Sequence, residues 1–463
     1  MKHDQSLHPE QIRLARNWLS LAIFTIVFAE MFALFAAGAR TPWFHELMGN
    51  KNFFYVALVI HVNLAIVIWF LAFISLLYVL SFQLKTGPQT LIKRVGQSGL
   101  TLQVVGTLLM VMVPFIGEGT PIMSNYVPVL DHPLFFTALF LFFSGAALSV
   151  SLPFLMKKQN CVPLEPFFAF GTRCAGITFI LALCCIGLAY YQMAPLSHSL
   201  NAFETVFWGG GHLLQAVNTL AMLSCWIFLI HRIYQQTILP DFLIYGLLGL
   251  IPLFALPGPF FYFIWDTGTP ELTNAFTFLM RWGLGGSVIL TAAGITRLLW
   301  NRRNETPWGD PRLLSVLISM GLFGYGGIVG TMIDSSNTTI PAHYHGVIGA
   351  VTIAFMGASF ELLPFLNGRK LTWRFLRWQP VLCGLGGAFF VTGMFWAGSH
   401  GVARKVPGAA QGLDHWQKIA GMTLMGLGGL ITVFGVILFI GGILKSLYRP
   451  ETVTHGEEIQ AIS

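Results

Sequence analysis

The stretch 342-AHYHGVIGAVTIAFMGASFELLPFL-366 decides how this chain is built. It is apolar and long enough to cross a bilayer as a helix, for which about 20 residues suffice. It opens on His343-Tyr344-His345. At about 100° per residue, positions two apart on a helix point about 200° away from each other. One helix can thus offer an imidazole to each of two neighbours on opposite flanks. Ionisable side chains inside a bilayer are costly and mark functional sites. Two of them, opposed, point to a helix wedged between two metal centres.

Working outward, similar apolar runs recur along the chain at 17–38, 53–80, 99–116, 134–156, 167–193, 203–231, 241–265, 273–299, 313–333, 342–366, 378–399 and 418–446. The expected fold class is an all-α integral membrane protein, a bundle of twelve transmembrane helices. No linker or composition shift divides it, so residues 1–463 read as a single transmembrane domain. Composition agrees: 55% of the residues are hydrophobic and 10% charged, against about 25% charged in soluble domains. The polar start, MKHDQSLHPEQIRLARN, precedes a full-length span without a short apolar core and cleavage site, so no removed signal peptide is expected. No basic domain or motif suggests nucleic acid. There is no CxxCH for covalent haem and no CxxC pair for zinc or iron–sulfur. Most of Cys161, Cys174, Cys184, Cys185, Cys225 and Cys383 lie in apolar runs, as small apolar side chains.

Basic residues orient the bundle. With the N-terminus inside, the outer segments hold only Arg40, Lys51, Arg281, Arg404, Lys405 and Lys418, and the rest of the 26 Lys and Arg lie on the inner side. Both termini are therefore expected in the cytoplasm, with the chain in a bacterial inner membrane. The asymmetry explains most of the formal charge of +7 without an acidic partner. Outer segments such as 117-GEGTPIMSNYVPVLDHP-133 and 266-DTGTPELTN-274 read as ordered caps over a site on the outer side.

In this topology every even-numbered span enters from outside. His61 and His212 then fall within one helical turn of each other in depth, and His343 and His345 open the tenth span. Four histidines from three spans occupy one layer in the outer third of the membrane. A lone intramembrane His is more often simply hydrogen-bonded to a neighbouring helix. A layer of four, two of them as His-x-His, favours metal ligation, because neutral imidazole suits iron and copper and axial haem ligation fits an apolar cavity between helices. His3, His8, His231 and His455 read as solvated. His45, His132, His198, His400 and His415 lie in outer segments or at span ends, where a structural role is the default.

Twelve spans, 61-HVNLAIVIWFLAF-73, a Gly-His in span 6 and 343-HYHGVIGAVTIAFMG-357 resemble subunit I of the haem–copper oxidase superfamily, which contains the oxygen and nitric oxide reductases. The first segment is especially similar to the nitric oxide reductase pattern. The resemblance implies that His61 and His345 are the axial ligands of a low-spin haem, and that His343 is the proximal ligand of a high-spin haem with an open position. It implies that His212 is the first ligand of the copper or non-haem iron facing that second haem. Arg404 and Lys405 fall where family members set basic residues against haem propionates; plain loop charge is the other reading. Two haems, of b type, are the implied cofactors.

The resemblance breaks at span 7. The family supplies two adjacent histidines there, whereas 249-GLIPLFALPGPFFYFIWD-266 contains none. Pro259 and Phe260 fall where the ligands belong, and a single His212 is a poor site for copper or iron. Ala216 stands where a Tyr or Glu follows the first metal ligand, and Gln215 and Asn218 are amides, which ligate weakly. Asp266, Glu271 and Glu118 could supply oxygen ligands only if the backbone brings them close. Tyr262 reads as a hydrogen-bond donor facing the second haem, or equally as an interfacial aromatic. The expected function is a di-haem respiratory oxidoreductase, a terminal oxidase or nitric oxide reductase-like enzyme. It would need an electron-donating subunit, cytochrome c or quinol. The alternatives are a non-catalytic haem-binding gas sensor or electron-transfer subunit and, last, a transporter, for which neither repeat nor midplane charge is seen.

Overall fold

The computed structural model describes residues 7–43, 51–82, 90–116, 119–155, 164–195, 197–368, 371 and 374–448. His3, His45, Glu118, Cys161 and His455 lie outside them. Twelve helices among the described residues are long and apolar enough to cross a membrane. Numbered as spans 1–12, they run Pro9–Gly38, Phe53–Leu80, Leu91–Ile116, Pro133–Phe154, Pro166–Gln192, Leu200–Tyr234, Asp241–Phe261, Pro270–Asn301, Pro311–Thr331, Thr339–Leu366, Trp378–Ser399 and Trp416–Tyr448. The expected all-α bundle is the observed one.

Several helices begin before their apolar runs do. Span 1 starts at Pro9 and span 3 at Leu91, because a helix continues past the hydrocarbon for as long as its backbone bonds are satisfied. Proline opens spans 1, 4, 5, 8 and 9, where its missing N–H costs no hydrogen bond and its φ is already helical. Side chains cap several of these starts: Ser199 accepts from Ala202 N–H, Thr269 from Leu272 N–H and Asp310 from Arg312 N–H.

Burial ranks the spans. In its most apolar window span 6 is 94% buried and spans 2 and 10 are 72% buried, against 50% or less for each of the others. These three carry His61, His212, His343 and His345. Span 10 packs on spans 9, 11 and 6, and span 2 on span 1. A helix that is apolar all round belongs in the middle of a bundle, and the middle is where the four histidines are.

Near its C-terminal end, Glu361 of span 10 binds Arg232 of span 6 and Arg312 of span 9, each at 2.8 Å. Asp310 adds a 2.6 Å contact to Arg312. This network ties spans 6, 9 and 10 together at the end of span 10 away from the histidines.

Between spans 3 and 4 the connecting segment forms a short antiparallel hairpin, β1 Thr120–Ile122 with β2 Val129–Asp131, in the register Thr120↔Asp131, Pro121↔Leu130, Ile122↔Val129. Val127, Val129 and Leu130 are buried. The cap expected from the Gly- and Pro-rich sequence is therefore packed into the bundle.

Candidate functional site

His61 lies two residues before a single π-helical segment, Asn63–Ile68, a feature frequent at functional positions. Its Nδ1 meets the Ala29 carbonyl of span 1 at 3.0 Å. His345 Nδ1 meets the Pro341 carbonyl at 2.7 Å, with its ring between Tyr344 and Phe390 at centroid distances of 4.8 and 4.6 Å. His343 Nδ1 meets the Gly326 carbonyl of span 9 at 2.8 Å. That approach needs Gly330, because a Cβ there would lie 2.5 Å from His343 Nδ1. His212 Nδ1 meets the Trp208 carbonyl one turn back at 2.8 Å.

A carbonyl oxygen only accepts. Each of these Nδ1 atoms therefore carries the proton, which fixes the neutral tautomer and leaves the lone pair on Nε2. This is the arrangement by which a second contact orients a ligating imidazole. For His61, His343 and His345 no hydrogen bond to Nε2 is found among the described residues, and all three rings are only partly buried inside an otherwise closed bundle. Their Nε2 lone pairs are free to ligate a metal.

His212 differs. It is 3% exposed, and its Nε2 lies 3.2 Å from the hydroxyl of Tyr126 in the hairpin loop. With Nδ1 protonated, the phenol donates and the imidazole accepts. Both nitrogens are used. Sequence reasoning missed Tyr126, since nothing local places a loop tyrosine against a helix 86 residues further on.

Histidines 343 and 345 diverge as the helical spacing requires. His343 leans on span 9, whereas His345 packs on Phe390 of span 11 and lies within electrostatic reach of His61 and Arg40. His345 of span 10 is thus turned toward His61 of span 2 and His343 toward span 9. His212 is four turns before Trp226 and within about 40° of it on the span 6 surface, at about 100° per residue. Trp226 Nε1 donates to Ser319 of span 9 at 2.8 Å. The His212 ring itself packs on Trp208, on Tyr126 and on Phe276 of span 8, at centroid distances of 4.8, 5.0 and 6.3 Å.

Three cations gather at the end of the bundle where span 10 begins. Arg40, 6% exposed, donates to the Ala403 carbonyl at 3.0 Å and to Gln411 Oε1 at 3.3 Å. Burial lowers its guanidinium to about 10. Lys405 donates to the Met123 carbonyl at 2.5 Å and to Asn125 Oδ1 at 3.2 Å. Burial first, and the neighbouring Arg404 second, lower Lys405 to about 8. Its φ of 59° is a left-handed conformation uncommon for lysine and concentrated at functional sites. Arg404 donates to Asn125 Oδ1 at 3.0 Å. Among the described residues none of the three makes an ion pair with a carboxylate. Glu204 acts on Lys405 only at a distance, through their shared neighbour Asn125, and buried cations such as Arg40 and Lys405 favour an anionic occupant. Arg40 could have been flagged in the sequence as one of six outer basic residues.

The family described as cytochrome c and quinol oxidase polypeptide I matches residues 13–445. The chain belongs to this oxidase subunit I family. Membership brings haem cofactors and the character of a respiratory oxidoreductase in the membrane. An uncharacterized protein of Rickettsia prowazekii (strain Madrid E) is 27% identical over 499 aligned residues, covering 92% of this chain and 94% of the relative. An uncharacterized protein of Aquifex aeolicus (strain VF5) is 28% identical over 367, covering 78% of this chain and 88% of the relative.

For an oxidase subunit I the residues present fit haem and do not fit the second metal. Three free imidazole lone pairs and a cationic rim suit haem iron and its propionates. No group of three or more His, Cys, Asp or Glu that could hold a metal ion is found among the described residues. Phe260 is 61% exposed, so the side chains that face inward near this break in span 7 are not the pair expected from the sequence: Gly258 and Tyr262 are buried instead. Asp266 and Glu271 are exposed and do not join His212. Tyr262 packs on Gly209 and Phe276, and its buried hydroxyl has no hydrogen-bond partner among the described residues. Phe276 lies beside both Tyr262 and His212, and no hydrogen bond joins the two.

Proposed function

We propose that the chain is a di-haem oxidoreductase of the bacterial inner membrane, a single transmembrane domain with both termini in the cytoplasm. Its low-spin haem is held by Nε2 of His61 and His345 and its high-spin haem by Nε2 of His343. Bound haem supplies one-electron transfer and, at the open iron position, binding of a diatomic gas, oxygen or nitric oxide. The protein's part is to fix the tautomers through the carbonyls of Ala29, Pro341 and Gly326, and to keep the two iron positions on opposite sides of span 10. Arg404 and Lys405 hold propionates, whose charge removes the desolvation cost now borne by Lys405. Tyr262, with its unpartnered hydroxyl one turn before His212 on the span 6 surface, serves as a hydrogen-bond donor to the gas side. Electrons come from a donor subunit, cytochrome c or quinol.

The observation that carries this reading is the set of three Nε2 lone pairs unengaged among the described residues, with His345 turned toward His61 and His343 toward span 9. Reduced-minus-oxidised spectra of the purified protein should show two b-type haems, one of which shifts with carbon monoxide. His61→Ala should abolish the low-spin band and leave the carbon monoxide-binding haem. A low-spin band that survives this change, or a protein purified without haem, refutes the assignment. A second reading, a non-catalytic gas sensor or electron-transfer subunit, is favoured by one observation: the nitrogen that would hold the second metal is already bonded to Tyr126.

A further inference from the structure

We propose that Tyr126 takes the place of the second metal, so that a gas bound on the side of His343 meets a phenol–imidazole pair instead of copper or iron. The inference deepens the di-haem reading and rests on it for the position of the gas.

The pair is built, not incidental. The hairpin loop is fastened from three directions. Asn63 of span 2, fully buried, donates its amide to the Pro128 carbonyl at 2.7 Å. The Asn125 backbone N–H donates to Glu204 of span 6 at 2.8 Å, and its side-chain amide bonds the same carboxylate. Lys405 and Arg404 grip the loop at Met123 and Asn125. Inside the loop, Ser124 donates to the Val127 carbonyl at 2.6 Å. The Tyr126 ring lies on Gly211, where a Cβ would come within 2.2 Å of its Cγ, and meets Trp208 edge-on at 5.8 Å and 84°. The ring thus takes up the space that the missing side chain at position 211 leaves beside His212.

The consequence for metal binding is chemical. A metal needs the Nε2 lone pair, and that pair accepts the Tyr126 hydroxyl while Nδ1–H is committed to Trp208. Binding a metal would require expelling the phenol, and His212 alone would then be its protein ligand among the described residues. On the di-haem reading, the group opposite His343 is therefore a hydrogen-bonding pair without a second electron-donating metal.

The test uses the purified holoprotein, with copper(II) and iron(II) salts and carbon monoxide as probes. Wild type, Tyr126→Phe and His212→Leu are compared for metal per haem after incubation and desalting, and for the C–O stretch of the reduced carbon monoxide complex. Wild type should hold no stoichiometric metal beyond haem iron. Tyr126→Phe should keep both haems and shift the stretch, and His212→Leu should shift it too. A wild-type protein with one copper or non-haem iron per chain, lost in His212→Leu, overturns the proposal. So does a stretch identical in all three proteins. If the wild type carries no haem, the di-haem reading fails, and one copper or iron per chain in wild type but not in His212→Leu still decides against Tyr126 as the occupant of His212. Gly211→Ala, which displaces the ring without altering either polar group, should reproduce the Tyr126→Phe result.

Discussion

Gly330→Ala should disable one haem site and spare the other. A methyl group at position 330 lies 2.5 Å from His343 Nδ1 and 2.7 Å from its Cε1. No real Cβ approaches a ring so closely, so the imidazole must swing off span 9 and lose its 2.8 Å bond to the Gly326 carbonyl. Over-packing of this kind costs about 1–3 kcal/mol and the lost hydrogen bond about 1 kcal/mol. Together, about 2–4 kcal/mol correspond to roughly 30- to 700-fold weaker holding of the group on His343, at about 1.4 kcal/mol per tenfold. The assay is haem content per chain with the reduced carbon monoxide difference spectrum. Gly330→Ala should lose the carbon monoxide-binding haem while the low-spin band remains. The control is Gly327→Ala on the same span, where an added Cβ meets nothing within 4 Å and both haems should stay. Full carbon monoxide binding in Gly330→Ala, or equal damage from Gly327→Ala, would refute the claim that His343 is a ligand positioned by span 9.

Two further outcomes follow from charges at the two ends of the bundle. The native pKa of Lys405, about 8, lies below its ordinary 10.5, so between these values the unfolded chain binds more protons. The haem-free protein should therefore gain stability as pH rises from about 8 to about 10.5, a rise seen by thermal melting in detergent and absent in Lys405→Met; stability that falls across this window contradicts the burial of this ammonium. At the C-terminal end of span 10, Glu361→Gln removes the carboxylate shared by Arg232 and Arg312, and should lower stability by about 3 kcal/mol while leaving both haem spectra in place, since the network lies at the far end of that helix. Loss of haem in Glu361→Gln would show that the two ends are coupled.

Much of the architecture is local and so legible in the chain alone. Apolar runs fix the number of spans because each helix must satisfy its own backbone in lipid. Helical spacing fixes the divergence of His343 and His345. The family's missing histidines in span 7 are plain in 249-GLIPLFALPGPFFYFIWD-266. The details of span ends were not legible: span 1 extends back to Pro9 through residues that hydropathy scores as polar. Nor was it legible that Phe260 faces outward while Tyr262 faces in, because the break at Leu256 and Pro257 resets the helical phase.

By itself the sequence determined a twelve-span membrane protein with four histidines in its three central spans, because hydropathy and helical period act within one segment. Only the tertiary structure decided what each histidine can do. A tautomer is set by the partner of Nδ1, and for His61 and His343 that partner is a carbonyl of another span, Ala29 or Gly326. The occupant of Nε2 on His212 is a phenol held by a hairpin between spans 3 and 4. Three lone pairs are left open and one is closed by contacts between distant segments, and no local pattern encodes which is which.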